Sequence, residues 1–187
     1  MVTIFMVTKF VTSDNHFFHN NIIKFQKEAG TRPFETVEQM NEKMIERWNK
    51  TVKPDDIVYI VGDLSFGSWN KTKEVLYTLH GKKHLIIGNH DKEWMKPESK
   101  EYFESMDYYK ECTDRQEHVI MCHYPIARWN RATHGSYHFH GHTHGNYQAE
   151  GRIIDVGIDN RPNKDHNLWE WSELIKALKD KPSIGHH

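Results

Sequence analysis

Short apolar runs rich in β-branched residues recur along this chain, and most of them break off into a carboxylate, an imidazole or an asparagine. Residues 4–11, 57–61, 84–87, 119–122, 137–139 and 152–156 have the length and composition of strands. Between them lie helix patterns. The clearest covers residues 37–50, with Thr36 as N-cap, Gln39 completing a capping box, and Met40, Met44, Ile45 and Trp48 on one face. Residues 71–79 and 172–178 read as further helices, and 21–27 as a short one. The order is strand, helices, strand, helix, strand, then a strand-rich half and a closing helix. That order implies an α/β fold with its sheet covered by helices.

Reactive side chains gather where the strands end. Asp14 and His16 follow the first run, Asp63 the second, Asn89, His90 and Asp91 the third, and His123 the fourth. In layered α/β folds, ligand groups collect at the carboxyl ends of strands. The segment YHFHGHTHG, residues 137–145, adds histidines at 138, 140, 142 and 144, a spacing that on an ideal strand points all four to one side. Gly141 and Gly145 bracket His142 and His144, so these imidazoles can be aimed without regular strand geometry. Each element alone also has an ordinary reading: Gly62-Asp63 as a turn, Asp14 to His16 as an Asx-type loop, His123 as a hydrogen-bonded loop residue.

Composition bounds the rest. At 187 residues the chain reads as a single domain, 1–185, with a core that needs no disulfide, and His186-His187 read as a tag remnant. A formal net charge of −1 gives no bulk basic field to recruit nucleic acid, and Lys82-Lys83 reads as solvated surface. No apolar run approaches the roughly 18 residues of a membrane span, and the first residues lack a signal peptide's layout. Two isolated cysteines, Cys112 and Cys122, read as reduced thiols, so a cytoplasmic protein is expected. Histidine is enriched at 15 residues, five of them from His134 to His144, which favours a transition-metal site.

Taken in order, D-x-H, GD, GNHD, H and GHTH at successive strand ends form a pattern that resembles the calcineurin-like metallophosphoesterases. The resemblance runs from about residue 4 to 160, and the flanking text (SDNHFFHNNII, RPF, WNKTV, DDIVYIVGD, KHLIIGNHD, HYPIARWN) is similar to the small phage and bacterial branch. It implies a central β-sandwich flanked by helices, without a large cap domain. It also implies two divalent transition-metal ions. One would be held by Asp14, His16, Asp63 and His144, the other by Asp63, Asn89, His123 and His142, with Asp63 bridging. Mixed N/O ligands suit Mn, Fe, Zn or Ni better than Ca or Mg, and Mn is the first choice.

The implied reaction is in-line attack on phosphorus by a metal-bridging hydroxide, with His90 as general acid and Asp91 fixing its tautomer. His140 reads as a histidine behind the ligands, and His138 and His134 as lying on the approach to the site or outside it. His19, His80, His84, His118 and His166 read as surface or packing residues. For substrate, Asn15, Arg32, Arg128 and Arg131 are candidates to meet a phosphoryl group, while Trp129 or Phe17 could stack on a base. A small phosphoester or nucleotide is the expected partner, as monoester or diester. A nuclease is the alternative, since the same family includes DNA-processing members, but it lacks support from a basic stripe with interleaved aromatics. A non-catalytic scaffold would have lost ligands that are all present here. A metal-buffering protein would not explain Asn89 or the ordered strand ends. Residues 94–116 match no chemical motif and read as a helix and strand completing the sheet; oligomeric state is open.

Overall fold

Residues 6–185 are described by the computed structural model. In chain order the elements are β1 (Lys9–Thr12), α1 (Ile22–Phe25), α2 (Val37–Thr51), β2 (Ile57–Ile60), α3 (Trp69–Thr78), β3 (Lys82–Ile86) and α4 (Asp91–Trp94). They continue with β4 (Ser105–Asp107), β5 (Tyr109–Asp114), β6 (Glu117–Cys122), β7 (Tyr137–His140), β8 (Ile153–Asp155), β9 (Trp169–Glu170) and α5 (Trp171–Leu178). The first strand is shorter than the apolar run suggested. Residues 4 and 5, like His186-His187, lie outside the described residues.

Two sheets form. One runs β4-β3-β2-β1-β9, with β9 antiparallel at its edge, and the other β5-β6-β7-β8, with β5 antiparallel to β6. The remaining pairings are parallel, so β1, β2, β3, β6, β7 and β8 all end on the same side of their sheets. Residues 94–116 supply an edge strand to each sheet, β4 to one and β5 to the other.

Period-two alternation in the parallel strands builds two layers at once. Val11, Tyr59, Val61 and Ile86 point between the sheets, where they meet Val119, Met121, Tyr137 and Phe139 of the second sheet. Phe10, Val58, Ile60 and Leu85 point the other way, onto Met40, Met44 and Trp48 of α2 and Val75 and Leu76 of α3. Each such side chain contributes roughly 1.5–3 kcal/mol when fully buried. α5 closes the sandwich, with Leu174, Ile175 and Leu178 inside. A sandwich covered by helices is what the resemblance implied.

Thr36 caps α2 by accepting the Gln39 amide (3.1 Å). The Gln39 side chain reaches one residue further back than a capping box requires and accepts the Glu35 amide (2.9 Å). Both cysteines are free. No helix among the described residues is long and apolar enough to cross a membrane.

Candidate metal centre

The parallel strand ends converge, and backbone bonds lock them together. Asp14 N–H donates to Gly62 O (3.0 Å), His16 N–H to Asp63 O (3.1 Å), and Gly141 N–H to His123 O (3.0 Å). Ser13 pairs with Gly157 in an isolated parallel bridge, joining the end of the first sheet to the segment after β8. Approach this close demands glycine at two positions. A Cβ at Gly88 would overlap the Asp63 carboxylate, and one at Gly141 would overlap the Ser13 hydroxyl.

Two ligand-type groups stand at this convergence: Asp14, His16 and His144, and Asp63, His123 and His142. Within each, one donor atom per residue lies within 4.8 Å of the others. Asn89 joins the second group, its Oδ1 3.1 Å from His123 Nε2. Asp14, His16, Asp63, His142 and His144 all adopt left-handed backbone, with φ of 52°, 54°, 53°, 69° and 47°. This region is uncommon outside glycine, and its clustering in one place marks a site where backbone strain serves side-chain aim.

The electrostatics fit a cation. Burial opposes ionisation of Asp14, yet the adjacent His16 imidazole, with His144 and His123, holds its carboxyl at about 2. Burial likewise opposes charge on His123, but Asp63 and then Asp14 raise it to about 9. Two buried carboxylates thus draw positive charge toward themselves. His16 has both ring nitrogens buried without a hydrogen-bond partner, an arrangement that costs free energy unless something coordinates one of them. The residues fit a pair of divalent ions.

Second-layer partners set the tautomers. His144 Nδ1 lies 2.9 Å from Asp159 Oδ2, turning its Nε2 toward Asp14. His123 Nδ1 donates to Val61 O (2.8 Å), leaving Nε2 toward Asp63 and Asn89. Asp159 in turn receives Arg32 through two bonds, of 2.7 and 2.9 Å. Ser13 Oγ lies 2.7 Å from Asp14 Oδ2. Neither Asp159 nor Ser13 is evident as a site residue in the sequence, beyond its position after a strand.

Several expectations are corrected. Asp91 does not orient His90. Its buried carboxylate accepts the amides of Asp63, Leu64 and Gly88 (2.9 Å each) and the indole of Trp94 (3.1 Å), clamping the two loops that carry Asp63 and Asn89. His90 instead has Nδ1 3.4 Å from Glu93 Oε1 and its ring against Phe66. Arg32 is buried, bound to Asp159 and to the carbonyls of Asp14 and Asn15, so it faces no substrate. Asn15 is buried with its amide on Thr12 Oγ1 (3.1 Å). Arg131 meets His118 Nε2 (2.9 Å), at the end of β6 opposite His123. Arg128 is exposed on the loop between β6 and β7.

Phe17 is fully buried and Trp129 packs in the core beside Ile120 and Ile153, so neither offers a stacking face. His140 lies behind Gly141, donating to its carbonyl (2.9 Å). His138 is buried between β6 and the following loop. His19, read as a surface or packing residue, lies 5.6 Å ring to ring from His16.

The model of the calcineurin-like phosphoesterase family matches residues 9–171, which spans every strand end described above. The chain belongs to the calcineurin-like phosphoesterase family. Uncharacterized protein MJ1445 of Methanocaldococcus jannaschii is 37% identical over 150 residues, 78% of this chain and 74% of its own length. The Gene 66 protein of Mycobacterium phage D29 is 27% identical over 199 residues, covering 90% of this chain and 94% of the phage protein. The crystal structure of the protein of unknown function AQ665 from Aquifex aeolicus superposes with a TM-score of 0.68 at 24% identity, over 92% of this chain and 100% of that one, and it shows the fold. A calcineurin-like phosphoesterase is a metal-dependent hydrolase of phosphoesters, and the two His/Asp groups are its candidate metal-binding residues here.

Proposed function

We propose that this calcineurin-like phosphoesterase is a dinuclear enzyme acting on a small, nucleotide-sized phosphoester, with manganese as its working metal. The observation that carries this reading is the pairing of two ligand groups at one convergence of strand ends, with both nitrogens of buried His16 lacking a hydrogen-bond partner and Nε2 3.6 Å from Asp14 Oδ1. Asp14, His16 and His144 would hold one ion, and Asp63, Asn89, His123 and His142 the other, with Asp63 shared. When bound there, such ions would supply Lewis acidity toward a water and the phosphoryl oxygens.

The protein's own groups do the rest. Asp159 and the Val61 carbonyl hold His144 and His123 in the tautomers that present Nε2 to the site. His142 is exposed, so the second group faces the open side from which substrate arrives. His90 is half-buried beside Asn89, with its amide donating to Asp63 Oδ1 (3.0 Å) and its ring near His16. In the reaction, water oxygen bonds to phosphorus as it gives up a proton to solvent, the ester P–O bond breaks, and the departing oxygen takes a proton from His90, which solvent restores.

Hydrolysis of bis(p-nitrophenyl) phosphate and p-nitrophenyl phosphate by the Mn-loaded protein, with and without chelator, tests this. The expected result is hydrolysis of at least one ester, abolished by chelation. Turnover that survives full metal removal, or none with metal bound, sinks the reading.

A further inference from the structure

A chain of rings leads outward from His90. His90 lies against Phe66, with centroids 4.3 Å apart at 36°. Phe66 lies against His19 at 4.0 Å and 50°, and His19 meets Phe25 edge-on at 5.9 Å and 82°. The inner end touches the first ligand group, since His16 is 5.1 Å from Phe66. The outer end is open, with Phe25 68% exposed at the last residue of α1. Phe66 and His19 are each half-buried, with part of each residue left to solvent.

Folding does not account for this row. Phe25 joins none of the core clusters of the described residues, where Ile22 anchors its helix instead. A single exposed phenylalanine is ordinary, but one in contact with three further rings that end at the candidate metal centre is a built surface. His19 is fixed in it, because its Nδ1 accepts the Ile22 amide (3.1 Å). Successive rings are inclined to one another by 36°, 50° and 82°, so what the row offers is partly exposed aromatic faces and edges.

We infer that this row is a ledge for the leaving group, and that the physiological phosphoester carries a planar ring, a nucleobase or an aryl group, that packs against the exposed parts of Phe66, His19 and Phe25 by face or by edge. The inference rests on the hydrolytic reading above, since it is His90 that makes this the leaving-group side. With the phosphoryl group at the metal centre, the ester oxygen meets His90 and the attached group continues over Phe66. Stacking accepts any base with a π-face, so the ledge selects for the presence of a base more than for its identity. Tyr124 is also exposed (47%), but it flanks the other ligand group, 4.8 Å from the His142 ring, and is not part of the ledge.

The test compares the non-hydrolysable 5′-methylenephosphonate analogue of adenosine 5′-monophosphate with that of ribose 5-phosphate, which lacks the base, by calorimetric binding to the Mn-loaded protein. The nucleotide is expected to bind about tenfold tighter or more. Phe25→Ala, which removes an exposed ring and no core contact, is expected to bring that ratio toward one while affinity for the base-free analogue holds, and Phe66→Leu is expected to lower the ratio as well. Tyr124→Ala is expected to leave the ratio unchanged. Equal affinities in the parent protein overturn the ledge, as does a ratio that survives both ledge substitutions or collapses with Tyr124→Ala. Hydrolysis of bis(p-nitrophenyl) phosphate is measured in parallel. Its absence overturns the catalytic reading and is distinguishable from failure of the ledge, because the binding ratio does not depend on turnover.

Discussion

At the scale of single residues, the roles divide between groups that face the reaction and groups that aim them. His90 faces it. Replacing it with alanine leaves every candidate ligand in place, so metal content should hold while turnover falls by about 10²–10⁴. The loss should be greatest for alkyl esters, whose alkoxides most need a proton. Metal analysis beside a leaving-group series checks both halves; full activity on alkyl esters would remove His90 from the mechanism. Asp159 aims. It holds His144 through Nδ1 while bound to Arg32, and both Asp159 and Arg32 are buried. Asp159→Asn keeps the shape but weakens that hold, and an expected loss of about 10–100-fold in Mn affinity at one of two sites is read by calorimetric titration. Unchanged affinity at both sites would show that His144 needs no such partner.

At the scale of elements, β7 carries the clearest pH dependence outside the metal centre. His138 Nε2 accepts the Ile126 amide (3.1 Å) and its Nδ1 donates to Ile120 O (3.1 Å), which defines a neutral ring. Burial lowers its pKa from 6.5 to about 4. The unfolded chain therefore takes up this proton near pH 6.5 and the folded chain only near pH 4. Stability falls as pH drops through that window, by on the order of 3 kcal/mol from this residue. Urea unfolding at pH 7 and pH 4.5 should show a smaller pH-linked difference in His138→Gln than in the parent. An equal difference would place the acid sensitivity in other histidines.

For the whole molecule, the candidate ligands come from both sheets, so on the proposed reading metal binding would tie the halves of the sandwich together. Asp14, His16, Asp63 and Asn89 follow strands of the first sheet; His123, His142 and His144 follow strands of the second. Ions that bind this assembled set and not the unfolded chain raise the unfolding free energy by about 2.7 kcal/mol per site at a hundredfold excess over Kd. Thermal unfolding is expected to shift upward with added Mn and back with chelator in a single concerted transition. A metal-insensitive melting temperature would contradict a site shared between sheets.

What the sequence determined by itself is what local patterns encode. Apolar runs placed β1, β2, β3, β6, β7 and β8, Thr36 and the Met40–Trp48 face placed α2, and the order of carboxylates, imidazoles and asparagine at the strand ends carried a family resemblance that implied Asp14, His16, Asp63, Asn89, His123, His142 and His144 as ligands. Direction and partnership were decided only in three dimensions. Asp91 follows His90 in the chain, yet its carboxylate turns into the fold toward amides of the loop at Asp63, because a buried carboxylate needs several donors and those amides supply them. Arg32 looks like a phosphate binder in sequence and becomes the buried partner of Asp159, 127 residues away. The ledge joins Phe25, His19, Phe66 and His90 from three segments. Such choices depend on which distant group supplies a missing charge, donor or aromatic contact, and that is settled by packing rather than by any local pattern.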